Sequence, residues 1–113
     1  MSKKEGDAGE NLAAEYLISK GYRILHRNFR CRFGEIDIIA SKGSVVAFIE
    51  VKYRKTDRFG KGFESVSQRK IEKILKASQY FISTNQDRYH YRYDVISIDN
   101  GKITHIENAF SYE

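Results

Sequence analysis

Proline is missing from all 113 residues, cysteine and methionine occur once each, and histidine three times. With no proline, no internal repeat and no low-complexity tract, nothing in the composition reads as a linker, and one domain over residues 1–113 is expected. The lone Cys31 excludes an internal disulfide framework and points to a reducing, cytoplasmic setting. One cysteine and three scattered histidines argue against a structural zinc site, which wants four N or S ligands from close pairs. No apolar run is long enough to span a bilayer, and the start Met1-Ser2-Lys3-Lys4-Glu5-Gly6 leads into none, so no membrane partner and no signal peptide are expected. A phosphate-cradling Gly-x-x-x-x-Gly-Lys and a serine in a nucleophile elbow are absent too. What remains is a soluble chain able to bury roughly two-thirds of its unfolded surface around one core.

The charge is basic. Lysine and arginine number 20 against 15 aspartates and glutamates, a formal +5 with a pI near 9.3, which suits a polyanionic partner. The positions say more than the total. Arg23, Arg27, Arg30 and Arg32 precede Asp37, and Arg54, Lys55, Arg58 and Lys61 follow Lys52. Such groups either follow a phosphate backbone, without reading sequence, or form an ordinary solvated surface. Residues 54–64 have no apolar period and carry Phe59 and Phe63 among their charges, which reads as a mobile loop. Phe63 is expected to plug the core. For Phe59, base stacking and packing stay open.

Gly34-Glu35-Ile36-Asp37-Ile38-Ile39-Ala40 and Val45-Val46-Ala47-Phe48-Ile49-Glu50-Val51-Lys52-Tyr53-Arg54 are β-rich runs joined by the polar link Ser41-Lys42-Gly43-Ser44, the pattern of a hairpin. Residues two apart share a strand face, so Glu50 and Lys52 join Val46 and Phe48, while Val45, Ala47, Ile49 and Val51 face the other way. A four-residue link pairs Ala40 with Val45. Asp37 then falls opposite Phe48 and Glu35 opposite Glu50, which makes Asp37 and Glu50 diagonal neighbours roughly 7–8 Å apart at the backbone. Two carboxylates so placed can share a hard divalent cation, Mg²⁺ or Mn²⁺, with Lys52 beside it to orient a water or stabilise charge on a phosphate. The competing reading is a hairpin end whose charges are merely solvated.

Two helices flank these runs. Leu12, Ala13, Tyr16 and Leu17 recur at helical spacing and Gly21 is a natural stop, which places Glu10 at the edge of the apolar stripe. Glu10 either overlooks the hairpin or closes a capping box with Asp7. Residues 65–82 form an amphipathic helix with Ile71, Ile74, Leu75, Ser78, Phe81 and Ile82 on one side and Ser65-x-x-Gln68 as a cap. Its first turn carries Arg69 and Lys70, which oppose the helix dipole and would be relieved by a bound phosphate. Tyr89-His90-Tyr91-Arg92-Tyr93-Asp94-Val95-Ile96-Ser97-Ile98-Asp99, an Asn100-Gly101 turn and Lys102-Ile103-Thr104-His105-Ile106 make a second hairpin, with the tyrosines expected to pack. Helix, strand, hairpin, helix, hairpin implies an α/β fold, a mixed sheet flanked by helices.

Gly9-Glu10, Gly21-Tyr22-x-Ile24-Leu25-x-Arg27-Asn28, Gly34-Glu35-Ile36-Asp37, Glu50-Val51-Lys52, Arg69-Lys70, Tyr93-Asp94-Val95 and Asn108-Ala109-Phe110, in that order and spacing, resemble the YraN-type bacterial proteins. That uncharacterised protein family is assigned to the PD-(D/E)xK, or restriction-endonuclease-like, superfamily and is similar in layout to archaeal Holliday-junction resolvases. The resemblance implies a single endonuclease-like domain with a restriction-endonuclease-like mixed β-sheet. It implies divalent-metal-dependent phosphodiester hydrolysis of nucleic acid, with structured or branched DNA the expected substrate, or else a non-catalytic nucleic-acid-binding module on the same fold. Glu10, Asp37, Glu50 and Lys52 take the catalytic positions, the three acids serving as metal ligands; Ile36-Asp37 stands where the superfamily has Pro-Asp. Arg27, Arg30, Arg32, Arg54, Lys55, Arg58 and Lys61 are the expected nucleic-acid contacts. Gln68 and Lys70 join them, since superfamily members bring a Gln or Lys from this helix near the metal. Resolvase-like relatives often act as dimers, so a homodimer belongs among the expected partners.

Overall fold

The computed structural model describes residues 3–54, 67–85 and 89–111, with side chains from residue 8 onward. Helix α1 spans Lys3–Ser19. It stops where glycine allows it to: Gly21 has φ 92, its N–H reaches the Ile18 carbonyl, and the Tyr22 N–H reaches the Leu17 carbonyl at 2.9 Å, a Schellman closure. The helix begins at Lys3, so Asp7 lies within it and is not its N-cap, which favours the other reading of Glu10 over the capping box. The buried stripe is Gly9, Ala13, Ala14 and Leu17. Leu12, counted in that stripe from its spacing, is 39% exposed, because the small residues let the helix settle on the sheet one position round.

Three strands follow as a meander: β1 Arg23–Cys31, β2 Gly34–Lys42 and β3 Val45–Arg54. Helix α2, Gln68–Thr84, crosses over to β4, His90–Asp99, which returns through β5, Lys102–Phe110. The strands lie in chain order β1-β2-β3-β4-β5, with β3 and β4 parallel and the other neighbours antiparallel. This is an α/β fold built on a five-stranded mixed sheet. The second hairpin turns as its sequence predicts: Asn100 and Gly101 have φ 52 and 81, the left-handed pair of a type I′ turn, and Asp99 faces Lys102.

The first hairpin is tighter than its polar link suggests. Lys42 pairs with Val45, leaving only Gly43 and Ser44 in the turn, with Gly43 at φ 59. Ser41 and Lys42, polar enough to read as loop, are the last residues of β2 instead. The register therefore moves by two: Ile38 pairs with Ile49 and Ile39 with Phe48. Asp37 is not opposite Phe48, and Glu35 is not opposite Glu50 but bonded to Arg30.

Alternation distributes two cores over the two faces of the sheet. Under α1 lie Ile38, Ala40, Ala47, Ile49, Val51, Ile96 and Ile98 with Ala13 and Leu17. Under α2 lie Ile36, Ile39, Val46, Phe48 and Tyr93 with Ile74, Ala77 and Phe81. Phe48 stacks between Tyr91 and Tyr93 at 5.8 and 5.4 Å, so these tyrosines pack, as their alternation predicts. Ser78, counted as a small packing position, is fully buried and bonds the Tyr93 hydroxyl at 2.7 Å. The N-cap of α2 is Ser67, not Ser65: its side chain accepts the Lys70 N–H at 3.2 Å, so Gln68 is the first helical residue.

Candidate functional site

The site begins where β2 leaves β3. Their last backbone pair is Ile38–Ile49, and continuing that register would set Asp37 across from Glu50. The Asp37 carboxylate intervenes, accepting the Val51 N–H at 2.8 Å where a strand carbonyl would otherwise serve. On the other side of Asp37, β1 carries Asn28 at φ 55, between the pairs Arg27–Ile38 and Phe29–Ile36. Across this step the side chains change face: Ile38 packs under α1, whereas Ile36 packs under α2. Asp37 thus sits at a wrench in the sheet, where charges from both helices, Glu10 of α1 and Lys70 of α2, act on it.

From α1 comes Glu10. Its neighbour Gly9 lies against Tyr53 so closely that an added Cβ would stand 2.6 Å from the Tyr53 Cβ. Glycine is required there, and the contact brings the helix start to the far end of β3. Glu10 lies 3.8 Å from the Arg27 guanidinium, which also bonds Asn11 at 2.8 Å. From β3 come Glu50, buried, and Lys52, whose ammonium is 3.6 Å from a Glu50 oxygen. From α2 comes Lys70, 2.5 Å from the same oxygen. The two-residue face relation of Glu50 and Lys52 holds as the strand pattern predicts.

The electrostatics are uneven. Burial lifts the Asp37 carboxyl to about 7, with the charge of Glu50 adding to the rise, the Val51 N–H opposing it, and Glu10 adding again. Burial also lowers the Lys52 ammonium, and the neighbouring Lys70 charge lowers it further, against Glu50. Lys70 moves the other way: burial works against its charge, but its bond to Glu50 outweighs that and holds it above the ordinary lysine value. Two acids whose charges oppose each other, one buried and one half-buried, and two lysines pushed apart in basicity, are the arrangement from which acid and base roles are made.

The donor set can be tested for a metal. Asp37 and Glu50 are oxygen donors whose like charges disfavour each other, and a hard cation between them would remove that cost. Among the described residues, no group of three or more Asp, Glu, His or Cys side chains is arranged to hold a metal ion. An ion bound here would be held by the two carboxylates, with water and phosphate completing its shell, as Mg²⁺ commonly is. Glu10 is close enough for its charge to act on Asp37, but it makes no such three-acid cage with the pair.

The basic residues divide. Arg27 ties β1 to α1, and Arg30 bonds Glu35 at 3.1 Å on the surface. Arg32 stacks on Phe33 at 4.8 Å. Arg54 ends β3 opposite Asp99, and Gln68 is exposed at the start of α2. Lys55, Arg58 and Lys61, with Phe59 and Phe63, lie outside the described residues. Lys70 is the residue whose place the sequence understated: helical spacing alone does not show that it reaches across to β3. No helix among the described residues is long and apolar enough to cross a membrane.

A second polar cluster lies under α1, around Asp94 of the Tyr93-Asp94-Val95 motif, which the resemblance kept out of the catalytic set. Asp94 is fully buried and accepts two bonds from Arg92 at 2.9 Å each, one from His105 at 2.8 Å and the Asn108 N–H at 3.0 Å. Burial raises its carboxyl, but these bonds outweigh burial and leave it below the usual carboxylate range. Arg92 continues to the Tyr22 hydroxyl and to Glu107. The Arg92-x-Asp94 spacing was the available signal; His105 and Asn108 come from β5 and carry no local one.

With this geometry in place, comparisons with known proteins agree among themselves. Residues 9–98 match the uncharacterised protein family UPF0102. A UPF0102 protein of Thermodesulfovibrio yellowstonii is 52% identical over 105 residues, covering 93% of this chain and 94% of its own. Others from Sulfurihydrogenibium sp. and Caldicellulosiruptor bescii are 45% and 47% identical, covering 97% and 96% of this chain and 96% and 98% of theirs. The chain belongs to the UPF0102 family, the YraN-type proteins that its motifs resemble.

Proposed function

We propose that this protein hydrolyses phosphodiester bonds of nucleic acid, with structured or branched DNA as substrate, using the site at the parting of β2 and β3. The observation that carries the reading is the pairing of a half-buried carboxylate, Asp37, with a buried one, Glu50, on diverging strands with Lys52 beside them. The restriction-endonuclease-like character of the sheet is part of the same proposal. Asp37 and Glu50 would hold Mg²⁺ or Mn²⁺, with Glu10 adding negative charge nearby, and the ion would supply Lewis-acid stabilisation of charge developing on the phosphate. Hydrolysis adds a water oxygen to phosphorus while one P–O ester bond breaks and the leaving oxygen takes up a proton. Lys52, made less basic by burial, is placed to accept the water's proton or to hold the water in line. Lys70, held charged by Glu50, is the cation that stays near the phosphate throughout.

Purified protein titrated with Mg²⁺ or Mn²⁺ in the presence of branched, nicked and single-stranded DNA tests this directly. Cleavage is expected with wild type and not with Asp37→Ala. Equal cleavage by both would trace the activity to a contaminant and sink the proposal. A second reading, a nucleic-acid-binding module that does not cut, has one observation in its favour: Lys70 at 2.5 Å already supplies Glu50 with a cation. It predicts salt-sensitive binding that ignores EDTA and survives Glu50→Gln. Cutting both strands of a branched duplex symmetrically would need two copies of the chain, so a homodimer, in a cytoplasmic setting, completes the proposal.

A further inference from the structure

Beside the carboxylates, between the β1–β2 turn and the first turns of α2, lies a cleft of about 730 Å³. Arg30, Cys31 and Glu35 line one wall, and Arg69, Lys70 and Lys73 the other. The walls are held at close range by Gly34, where an added Cβ would stand 3.1 Å from the Lys73 Cβ and 3.2 Å from the Lys73 carbonyl oxygen. Charge inside the cleft is lopsided. Arg30 is matched by Glu35 and Lys70 by Glu50, so Arg69 and Lys73 leave the cleft net positive. At one end Lys70 joins it to Glu50 and the proposed site.

At the other end the surface turns aromatic. Arg69, Lys73, Lys76 and Tyr80 follow one another at helical spacing along an exposed stripe of α2, about 16 Å from first to last. Tyr80 stands 6.3 Å from Phe33 in the β1–β2 turn, and the two are 44% and 37% exposed. Tyr80 rests on Phe29 at 6.4 Å, and Phe29 on Phe81 at 5.4 Å, so the exposed pair is backed by packed rings and keeps an outer side open to water beside the row of cations.

We infer that this cleft and its aromatic end take a single strand of nucleic acid, with backbone phosphates on Arg69 and Lys73 and an unpaired base against Phe33 and Tyr80. Single strand and duplex differ in what they offer an aromatic ring. In a duplex each base face is covered by its neighbours, so the outer surface offers phosphates to cations but nothing for an aromatic ring to stack on. An unpaired nucleotide offers both, and stacking platforms beside a positive groove are how proteins hold single strands without reading sequence. The inference rests on the reading that the adjoining site acts on nucleic acid, and it adds that the substrate has an unpaired segment leading to that site from the α2 side.

Binding is measured by fluorescence anisotropy in EDTA, on a Glu50→Gln background so that no cleavage intervenes, with a labelled single strand, the matching blunt duplex and a duplex with a single-stranded tail. The single strand and the tailed duplex are expected to bind at least about ten-fold more tightly than the blunt duplex. Tyr80→Ala is expected to weaken single-strand binding about ten-fold, Tyr80→Phe to restore most of it, and Arg69→Ala and Lys73→Ala each to reduce the salt dependence by about 0.7 in log–log slope. Phe33→Ala gives an independent reading of the stacking end. Equal binding of duplex and single strand, or no loss in Tyr80→Ala and Phe33→Ala alike, would overturn the inference. So would a dimer in sedimentation that Tyr80→Ala dissociates, because the aromatic pair would then be an interface between copies. Hydrolysis by wild type is scored separately: binding as expected with no cleavage removes the catalytic reading alone, and cleavage indifferent to the cleft removes this inference alone.

Discussion

β3 and β4 run parallel as neighbours, and each carries an acid and a base two residues apart: Glu50-x-Lys52 on one, Arg92-x-Asp94 on the other. The first pair faces α2 and the second faces α1. Asp94 is met from every side by donors, from its own strand and from β5, and its carboxyl is held below the ordinary range. Around Glu50 the donors are two lysine ammonium groups crowded onto one oxygen, and the nearest acid, Asp37, is pushed up to about 7. One cluster has spent its charges on holding the sheet together. The other keeps charges in mutual conflict, an arrangement that a structural role does not require and that a bound cation or phosphate would relieve.

The largest expected effect that separates them is on folding. Asp94→Ala strands Arg92 and His105 beside an empty place and should cost about 3–5 kcal/mol in chemical denaturation, the range for breaking a buried pair by removing one partner. A loss below about 1 kcal/mol would erase the contrast. Glu50→Gln should do the reverse, changing stability by less than about 1 kcal/mol while lowering metal-dependent hydrolysis about 100-fold or more. If Glu50→Gln unfolds the protein as readily as Asp94→Ala, the two clusters are alike in kind. Gly9→Ala touches neither acid, yet its Cβ would collide with Tyr53; a loss of about 1–3 kcal/mol, with α1 and Glu10 displaced from the site, is expected in thermal melts and hydrolysis assays.

The smallest and sharpest contrast is in pH. The folded value of Asp94 is below that of the unfolded chain, so its contribution is present above about pH 4 and is lost as pH falls through the folded value. For Asp37 the sign reverses. Its folded value of about 7 exceeds the unfolded value of about 3.9, so the folded protein binds the extra proton, and stability falls as pH rises between the two. Melts in EDTA across pH 3–8 should show both limbs, with Asp94→Asn flattening the acid one and Asp37→Asn the neutral one. An unchanged neutral limb in Asp37→Asn would remove the conflict on which the comparison turns.

Local patterns in the sequence carried far. The face shared by Phe48, Glu50 and Lys52 follows from strand alternation, the Asn100-Gly101 turn from the left-handed preference of those two residues, and the buried side of α2 from its helical period. What failed was length. Ser41-Lys42-Gly43-Ser44 looks like loop because polar residues at a strand's end and in a turn obey the same composition, so the register slid by two and made diagonal neighbours of residues that the continued register sets across from each other. What local pattern left invisible was reach across the fold: Gly9 to Tyr53, Asp94 to His105, and Lys70 to Glu50, which only the family resemblance brought near the site. Each joins elements whose approach is set by packing, and none has a signature within its own stretch of chain.

The bond from Val51 N–H to the Asp37 carboxylate has a consequence for how such a protein can drift over generations. Asp37 has two employers: it satisfies a backbone group of the sheet whether or not any bond is ever cut. A descendant that gave up chemistry would still be under pressure to keep it, so its persistence in a relative is weak testimony about activity. Among the described residues, Glu50 has side-chain ammonium groups as its partners and no backbone group in the same way. Across relatives, Glu50 is therefore the position where abandonment of the trade would first be written.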